Sequence, residues 1–209
     1  MKQRKYLLIS SLLLVFIASF FIWSNWNGDD SSEVIYYIPH QDDEVITFGV
    51  SIHDHVVRDH DVYVVLLTDG ANSAVRKKMN LSKEEFSEAR NREFDKAVEI
   101  LGVDPENVEK RGFSDGSLSV EQVEEVIKEY HERFPNAAHK TFSYYDPHPD
   151  HANAGHALKN MMDEGLIEDG KFYFGNNFTP LNVEIKEDHY EESYFPVIQA
   201  ASRVYKDED

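Results

Sequence analysis

Apolar residues follow two different rhythms along this chain. Tyr6 to Trp23 is an unbroken uncharged run. From Glu33 onward, short continuous apolar runs alternate with segments that repeat every three to four residues. The short runs predict buried strands and the periodic segments predict amphipathic helices. Strands are predicted at Glu33–Ile38, Asp61–Thr68, Val108–Phe113, Lys140–Tyr145 and Lys171–Phe174, with an edge strand at Leu181–Ile185. Helices are predicted over Val45–Val57, after Ser82, over Val120–Phe134 and Ala152–Met162, and as a closing element over Tyr194–Tyr205. Ser82 with Glu85 three positions on forms a capping box, and Gly102 ends that helix after Leu101. Residues 71–81 read as a polar loop. Strands that alternate with helices in this way predict an α/β, Rossmann-like, mostly parallel sheet with helices on both faces.

The first run is of another kind. Lys2, Arg4 and Lys5 precede it, and Trp23 and Trp26 follow. Its 18 residues span about 27 Å as a helix, close to the thickness of a bilayer's hydrocarbon core. The pattern predicts one N-terminal transmembrane helix at 1–24, a polar linker at 25–32 and a folded domain at 33–209. The basic residues stay inside, which places the domain outside the cytoplasm at the cell membrane. The competing reading is a cleaved signal peptide and a secreted domain, but no clean small-x-small cleavage site follows the run.

Charge and composition narrow the chemistry. The net charge of −18, from 39 acids against 21 bases, argues against a nucleic-acid partner, because that needs a basic face. Cysteine is absent, so any metal must be held by nitrogen and oxygen ligands.

Two predicted strands end in unusual polar clusters: His40, Asp42, Asp43 and Glu44 after the first, and His148, Asp150 and His151 after the fourth. In open α/β sheets ligands bind at the carboxyl ends of strands. His40, Asp43 and one histidine of the second cluster make a two-nitrogen, one-oxygen set. Three protein ligands and an open position suit catalytic zinc, and the same set suits iron(II) as a facial triad. Neighbouring residues at a strand-to-helix turn point in different directions, so Asp42 and Asp43 can divide the work between water and metal. His53, His55 and His60 form a looser group in polar surroundings, and Tyr144, Tyr145, Phe172 and Tyr173 read as core, with the alternative that aromatics at the rim stack on a sugar face.

These residues carry a family resemblance. Pro39-His40-Gln41-Asp42-Asp43-Glu44 resembles the Pro-His-Pro-Asp-Asp-Glu signature of the PIG-L/LmbE-like zinc deacetylases, and His148-Pro149-Asp150-His151 resembles their His-Pro-Asp-His. Thr68-Asp69-Gly70 and the Arg90-x-x-Glu93 helix ending in Leu101-Gly102 resemble two weaker motifs between them, and Asp115-Gly116 a further loop. Gln41 stands where the family has proline. The resemblance implies a Rossmann-like N-deacetylase of N-acetylglucosamine-type sugars with Zn2+ on His40, Asp43 and His151. It implies Asp42 as general base, His148 held by Asp150 as oxyanion stabiliser and acid, and Arg90 near the substrate. Two rival functions remain on the same residues: a non-catalytic carbohydrate-binding domain and an iron(II) enzyme.

Overall fold

Five strands, all parallel, form the centre of the computed structural model, which describes residues 31–174 and 185–205. In chain order they are β1 (Glu33–Ile38), β2 (Asp61–Thr68), β3 (Val108–Phe113), β4 (Ala138–Phe142) and β5 (Gly170–Tyr173). Their spatial order is β3-β2-β1-β4-β5. The chain leaves β1 toward one edge and later returns to its other side, so the β1/β4 boundary is a topological switch point. The register there pairs Ile35 with His139 and Tyr36 with Lys140.

The apolar runs are continuous because the sheet is covered on both faces. Val34, Tyr36 and Ile38 point to one side, where they pack with Phe48, Ile52, Phe94, Val98, Leu101 and Ala201. Ile35 and Tyr37 point to the other, against Val123, Ile127, Tyr130, Ala154, Leu158 and Met161. The helices are α1 (Asp43–Ile46), α2 (Gly49–Val57), α3 (Ala74–Met79), α4 (Lys83–Leu101), α5 (Val120–Arg133), α6 (Pro149–Asp163) and α7 (Phe195–Ser202). α1, α2, α4 and α7 cover the first face, and α5 and α6 the second.

Several expectations shift by a few residues, each for a local reason. The helix predicted over Val45–Val57 is two pieces, α1 and α2, broken at Thr47-Phe48. The Phe48 ring is fully buried and packs edge-on to Tyr36 and Phe142, so tertiary packing overrides a continuous helix. The polar loop contains α3, capped by Ser73, whose side chain accepts from Val75 N–H. β4 ends at Phe142 because Asp146 N–H turns back to Ser143 C=O at 2.9 Å. The capping box of α4 is present in both directions, and Gly102 closes the helix in the left-handed conformation.

The predicted transmembrane helix and most of the Leu181–Ile185 strand lie outside the described residues. Among the described residues no helix is long and apolar enough to cross a membrane.

Candidate active site

Three loops meet at the carboxyl ends of the strands beside the switch point, and the one between β3 and α5 brings Asp115 to His40. The first runs from Pro39 to α1. Its entry is fixed by Thr68 at the end of β2, whose backbone N–H and side-chain hydroxyl both donate to Pro39 C=O, at 3.1 and 2.7 Å. Gln41 folds over Gly70 and donates from Nε2 to Asn91 Oδ1 at 2.8 Å. A Cβ at Gly70 would lie 2.0 Å from Gln41 Oε1, and its φ of +61° already favours glycine. The residue in the family's proline slot thus ties the loop to α4 by packing and a hydrogen bond.

The second loop leads from β4 to α6, whose first turn carries Asp150 and His151. Helix and strand end touch backbone to backbone there. A Cβ at Gly155 would come within 2.3 Å of Tyr144 N and 2.6 Å of Phe142 O. That close approach brings the His151 ring flat onto Phe142, with centroids 3.8 Å apart.

Three donor atoms converge between these loops. His40 Nδ1 lies 3.1 Å from His151 Nε2 and 3.4 Å from Asp43 Oδ2, and His151 Nε2 lies 3.2 Å from Asp43 Oδ2. Ligands held at 2.0–2.2 Å around a tetrahedral ion stand roughly 3.3–3.6 Å apart. The triangle is therefore close to the size a divalent cation needs, without rearrangement.

The outward nitrogens of both histidines face carboxylates. His40 Nε2 is 3.1 Å from Asp150 Oδ2 and 3.4 Å from Asp115 Oδ1, and His151 Nδ1 is 3.3 Å from Asp146 Oδ1. Carboxylates behind imidazoles orient them and raise their basicity in metal sites. Burial alone would lower the pKa of His40, but its contacts with Asp115, Asp150 and Asp43 outweigh this and raise it to about 11. Burial would raise the carboxyl of Asp43, but the two histidines hold it well below the usual carboxylate range. The pocket strongly favours positive charge.

Asp42 directly precedes Asp43 in the chain but is not part of the triangle. Its φ is 108° and its ψ −32°, a conformation costly for a residue with a side chain and one that clusters at functional sites. Contacts on two sides hold it. Its N–H donates to Glu44 Oε2 at 2.9 Å, and its Oδ2 accepts from Arg90 Nη2 at 3.0 Å. Arg90 Nη2 also donates to Gln41 C=O at 2.6 Å. The Arg90 contacts thus fall on the loop that carries Asp42. Glu44 is fully buried, and burial raises its carboxyl to about 8 despite the hydrogen bonds from Tyr205 and Asp42.

His148 is exposed at the mouth, its ring 4.7 Å from those of His40 and His151. It caps α6: its Nδ1 accepts from Asp150 N–H at 3.2 Å. The expected support of the His148 ring by the Asp150 carboxylate is not what is found. That carboxylate accepts from Gly116 N–H at 2.8 Å and Leu118 N–H at 3.2 Å, and faces His40. At the start of a helix, residues two apart point to different sides. Burial and then the charges of His40 and His151 lower the pKa of His148, so near pH 7 its ring is neutral with the proton on Nε2, rather than cationic.

Asp146 and Tyr205 were not picked out from the sequence. Asp146 sits in an Asp-Pro turn just before the second cluster, a position that hints at its role. Of the looser histidines, His55 is buried against Lys140 and Ser51, His53 bonds Leu101 C=O and His60 bonds Ser31 C=O, so none joins the triangle. Tyr145, expected in the core, is 55% exposed on the loop before His148.

Residues 35–162 match the family model described as PIG-L: GlcNAc-PI de-N-acetylase. The chain belongs to the PIG-L family. A comparison with curated proteins gave no match. Among solved structures, this PIG-L chain is similar to N,N'-diacetylchitobiose deacetylase from Pyrococcus horikoshii, at 21% identity and TM-score 0.64 over 86% of this chain and 72% of that one. It is similar to a deacetylase of the teicoplanin biosynthesis pathway, at 16% identity and TM-score 0.69 over 84% of each chain. It is also similar to the 4-carboxy-2-hydroxymuconate hydratase of Pseudomonas putida, at 20% identity and TM-score 0.62 over 83% of this chain and 78% of that one. At these identities the likeness speaks for the fold, and one fold hosting a hydratase and deacetylases leaves the reaction to the site.

Proposed function

We propose that this chain is a zinc-dependent N-deacetylase that hydrolyses the acetamide of an N-acetylglucosamine-type sugar or glycoconjugate. The observation that carries the reading is the triangle of His40, Asp43 and His151, with Asp42 directly before Asp43 in the chain and its carboxylate fixed by Arg90. His40, Asp43 and His151 would hold the ion. When bound there, zinc supplies Lewis acidity to a carbonyl or a water.

The remaining work falls to the chain's own groups. Asp42 accepts a proton from the attacking water, and Arg90 and Glu44 fix it in the position to do so. The proton Asp42 takes is then available to the departing nitrogen, which must be protonated to leave as an amine. The Nε2–H of His148 donates to the oxygen that gains charge as the carbonyl becomes tetrahedral, and its Nδ1 is fixed by the start of α6. A neutral imidazole is an effective donor in that role. Tyr145, three residues before His148 and exposed, offers an aromatic face suited to the apolar face of a sugar ring.

The uncharged run Tyr6–Trp23 behind Lys2, Arg4 and Lys5 supports a membrane-anchored enzyme acting on the outer side, on an envelope or extracellular glycan. The test is acetate release from N-acetylated chitooligosaccharides by the full chain, with and without chelator, for wild type and Asp42→Asn. Wild type should release acetate, chelator should abolish release, and Asp42→Asn should lower kcat by about 10²- to 10⁴-fold with zinc retained. Turnover of Asp42→Asn at the wild-type rate would overturn the assignment of the base.

A further inference from the structure

Glu44 and Arg90, the two groups that hold Asp42, meet the same residue from the far end of the chain. Tyr205 donates its hydroxyl hydrogen bond to Glu44 Oε1, and its ring lies 4.5 Å from the guanidinium carbon of Arg90. Glu44 and Tyr205 are separated by 161 positions in the sequence. Tyr205 arrives there because α7 packs through Ala201, Val197 and Ile198 against the core face shared with Val45, Phe94 and Leu101, and the chain turns back at Arg203–Val204.

We propose that Tyr205 is a positioning residue for Asp42, setting through Glu44 and Arg90 the geometry of the carboxylate that takes the proton. This rests on the deacetylase reading and deepens it. Asp42 occupies an unfavourable backbone conformation, so it stays there only while its surroundings over-determine it. Glu44 Oε2 holds its N–H, and Tyr205 fixes the other oxygen of that carboxylate, so the side chain of Glu44 cannot swing away. Arg90 Nη2 holds its carboxylate, and the ring of Tyr205 supports the guanidinium plane by a cation–π contact in a nearly buried setting. Burial and the nearby Glu44 push the phenol of Tyr205 far above its usual range, so it remains a hydrogen-bond donor at every working pH. None of these contacts reaches His40, Asp43 or His151 directly, so Tyr205 should affect the proton-transfer step and leave metal binding alone.

The experiment compares the full chain as wild type, Tyr205→Phe and Tyr205→Leu, measuring kcat, KM, zinc content and thermal midpoint with an N-acetylated chitooligosaccharide. Tyr205→Phe removes the hydroxyl and keeps the ring, so kcat should fall roughly 3- to 10-fold, the worth of one hydrogen bond. Tyr205→Leu removes both contacts, so kcat should fall on the order of 10²-fold, as for an active group displaced by about 1 Å. KM and the zinc content should stay at wild-type values in both. Unchanged kcat in Tyr205→Phe, or loss of zinc together with kcat in either variant, would overturn the proposal. If Tyr205→Leu does not fold, Tyr205→Phe still decides. An inactive wild type, or a fully active Asp42→Asn, would instead sink the deacetylase reading itself.

Discussion

Gly155 is where the fold most directly sets the chemistry, and replacing it with alanine gives a prediction that can be worked from distances. The new Cβ would stand 2.3 Å from Tyr144 N and 2.6 Å from both Phe142 O and Ser143 C. All three are backbone atoms at the end of β4, so no flexible side chain can move aside. Ordinary contact begins at 3.4 Å, so α6 must withdraw from the strand by roughly 1 Å. Overpacking of this kind costs about 1–3 kcal/mol of stability. His151 lies one turn before Gly155 on the same helix, and His148 caps it. The same movement therefore opens the triangle with His40 and Asp43, and a misplacement of about 1 Å is worth on the order of 10²-fold in rate. The assay is zinc affinity by chelator competition, with kcat and the thermal midpoint on the same preparation. Gly155→Ala should weaken zinc binding and lower all three. Wild-type zinc affinity and kcat in a stable Gly155→Ala protein would refute the claim that this backbone contact places His151.

Three further outcomes follow from other parts of the structure. Burial, with a smaller contribution from His131, lowers His139 from 6.5 to about 4. The folded form then binds fewer protons than the unfolded chain between those values, so stability should fall by about 3 kcal/mol as pH drops from 6.5 to 4. Denaturant titrations of His139→Gln should show a shallower slope over that window, and an unchanged slope would contradict the assignment. Ser82→Ala removes the acceptor of Glu85 N–H at 3.1 Å and should cost about 1 kcal/mol, seen as a thermal midpoint lower by roughly 2–4 °C. Tyr145→Ala should raise KM for a chitooligosaccharide several-fold, in line with the roughly 1 kcal/mol an aromatic contact contributes, with kcat little changed; an unchanged KM would remove Tyr145 from the sugar site.

Much of the architecture was legible because a buried parallel sheet leaves a simple trace: β1 and β2 are apolar through almost their whole length, and the longer helices carry an apolar stripe. The cap at Ser82 and the stop at Gly102 could be read from local chemistry alone. So could the clusters at His40–Glu44 and His148–His151, since histidine and carboxylate together directly after two separate strands go beyond what helix capping needs. Features set by long-range contact were not legible. The break at Thr47-Phe48 depends on rings from β1 and β4 that surround Phe48. The pairing of Asp150 with His40 rather than with the His148 ring depends on the β3–α5 loop, which supplies two N–H groups to that carboxylate. Tyr205 has no local signal, because its partners are Glu44 and Arg90. Asp146 had a partial one, an Asp-Pro turn, but its meaning depends on where His151 lands.

In the proposed enzyme His40, Asp43 and His151 together hold one ion and Asp42 does not. The most direct measurement is the zinc content of the purified full chain, equilibrated at a fixed low concentration of free zinc, for wild type and single variants of these four residues. One zinc per chain is expected in wild type and Asp42→Asn, and loss of zinc in His40→Ala, Asp43→Ala and His151→Ala. Full zinc occupancy in His151→Ala, or its loss in Asp42→Asn, would contradict this ligand set.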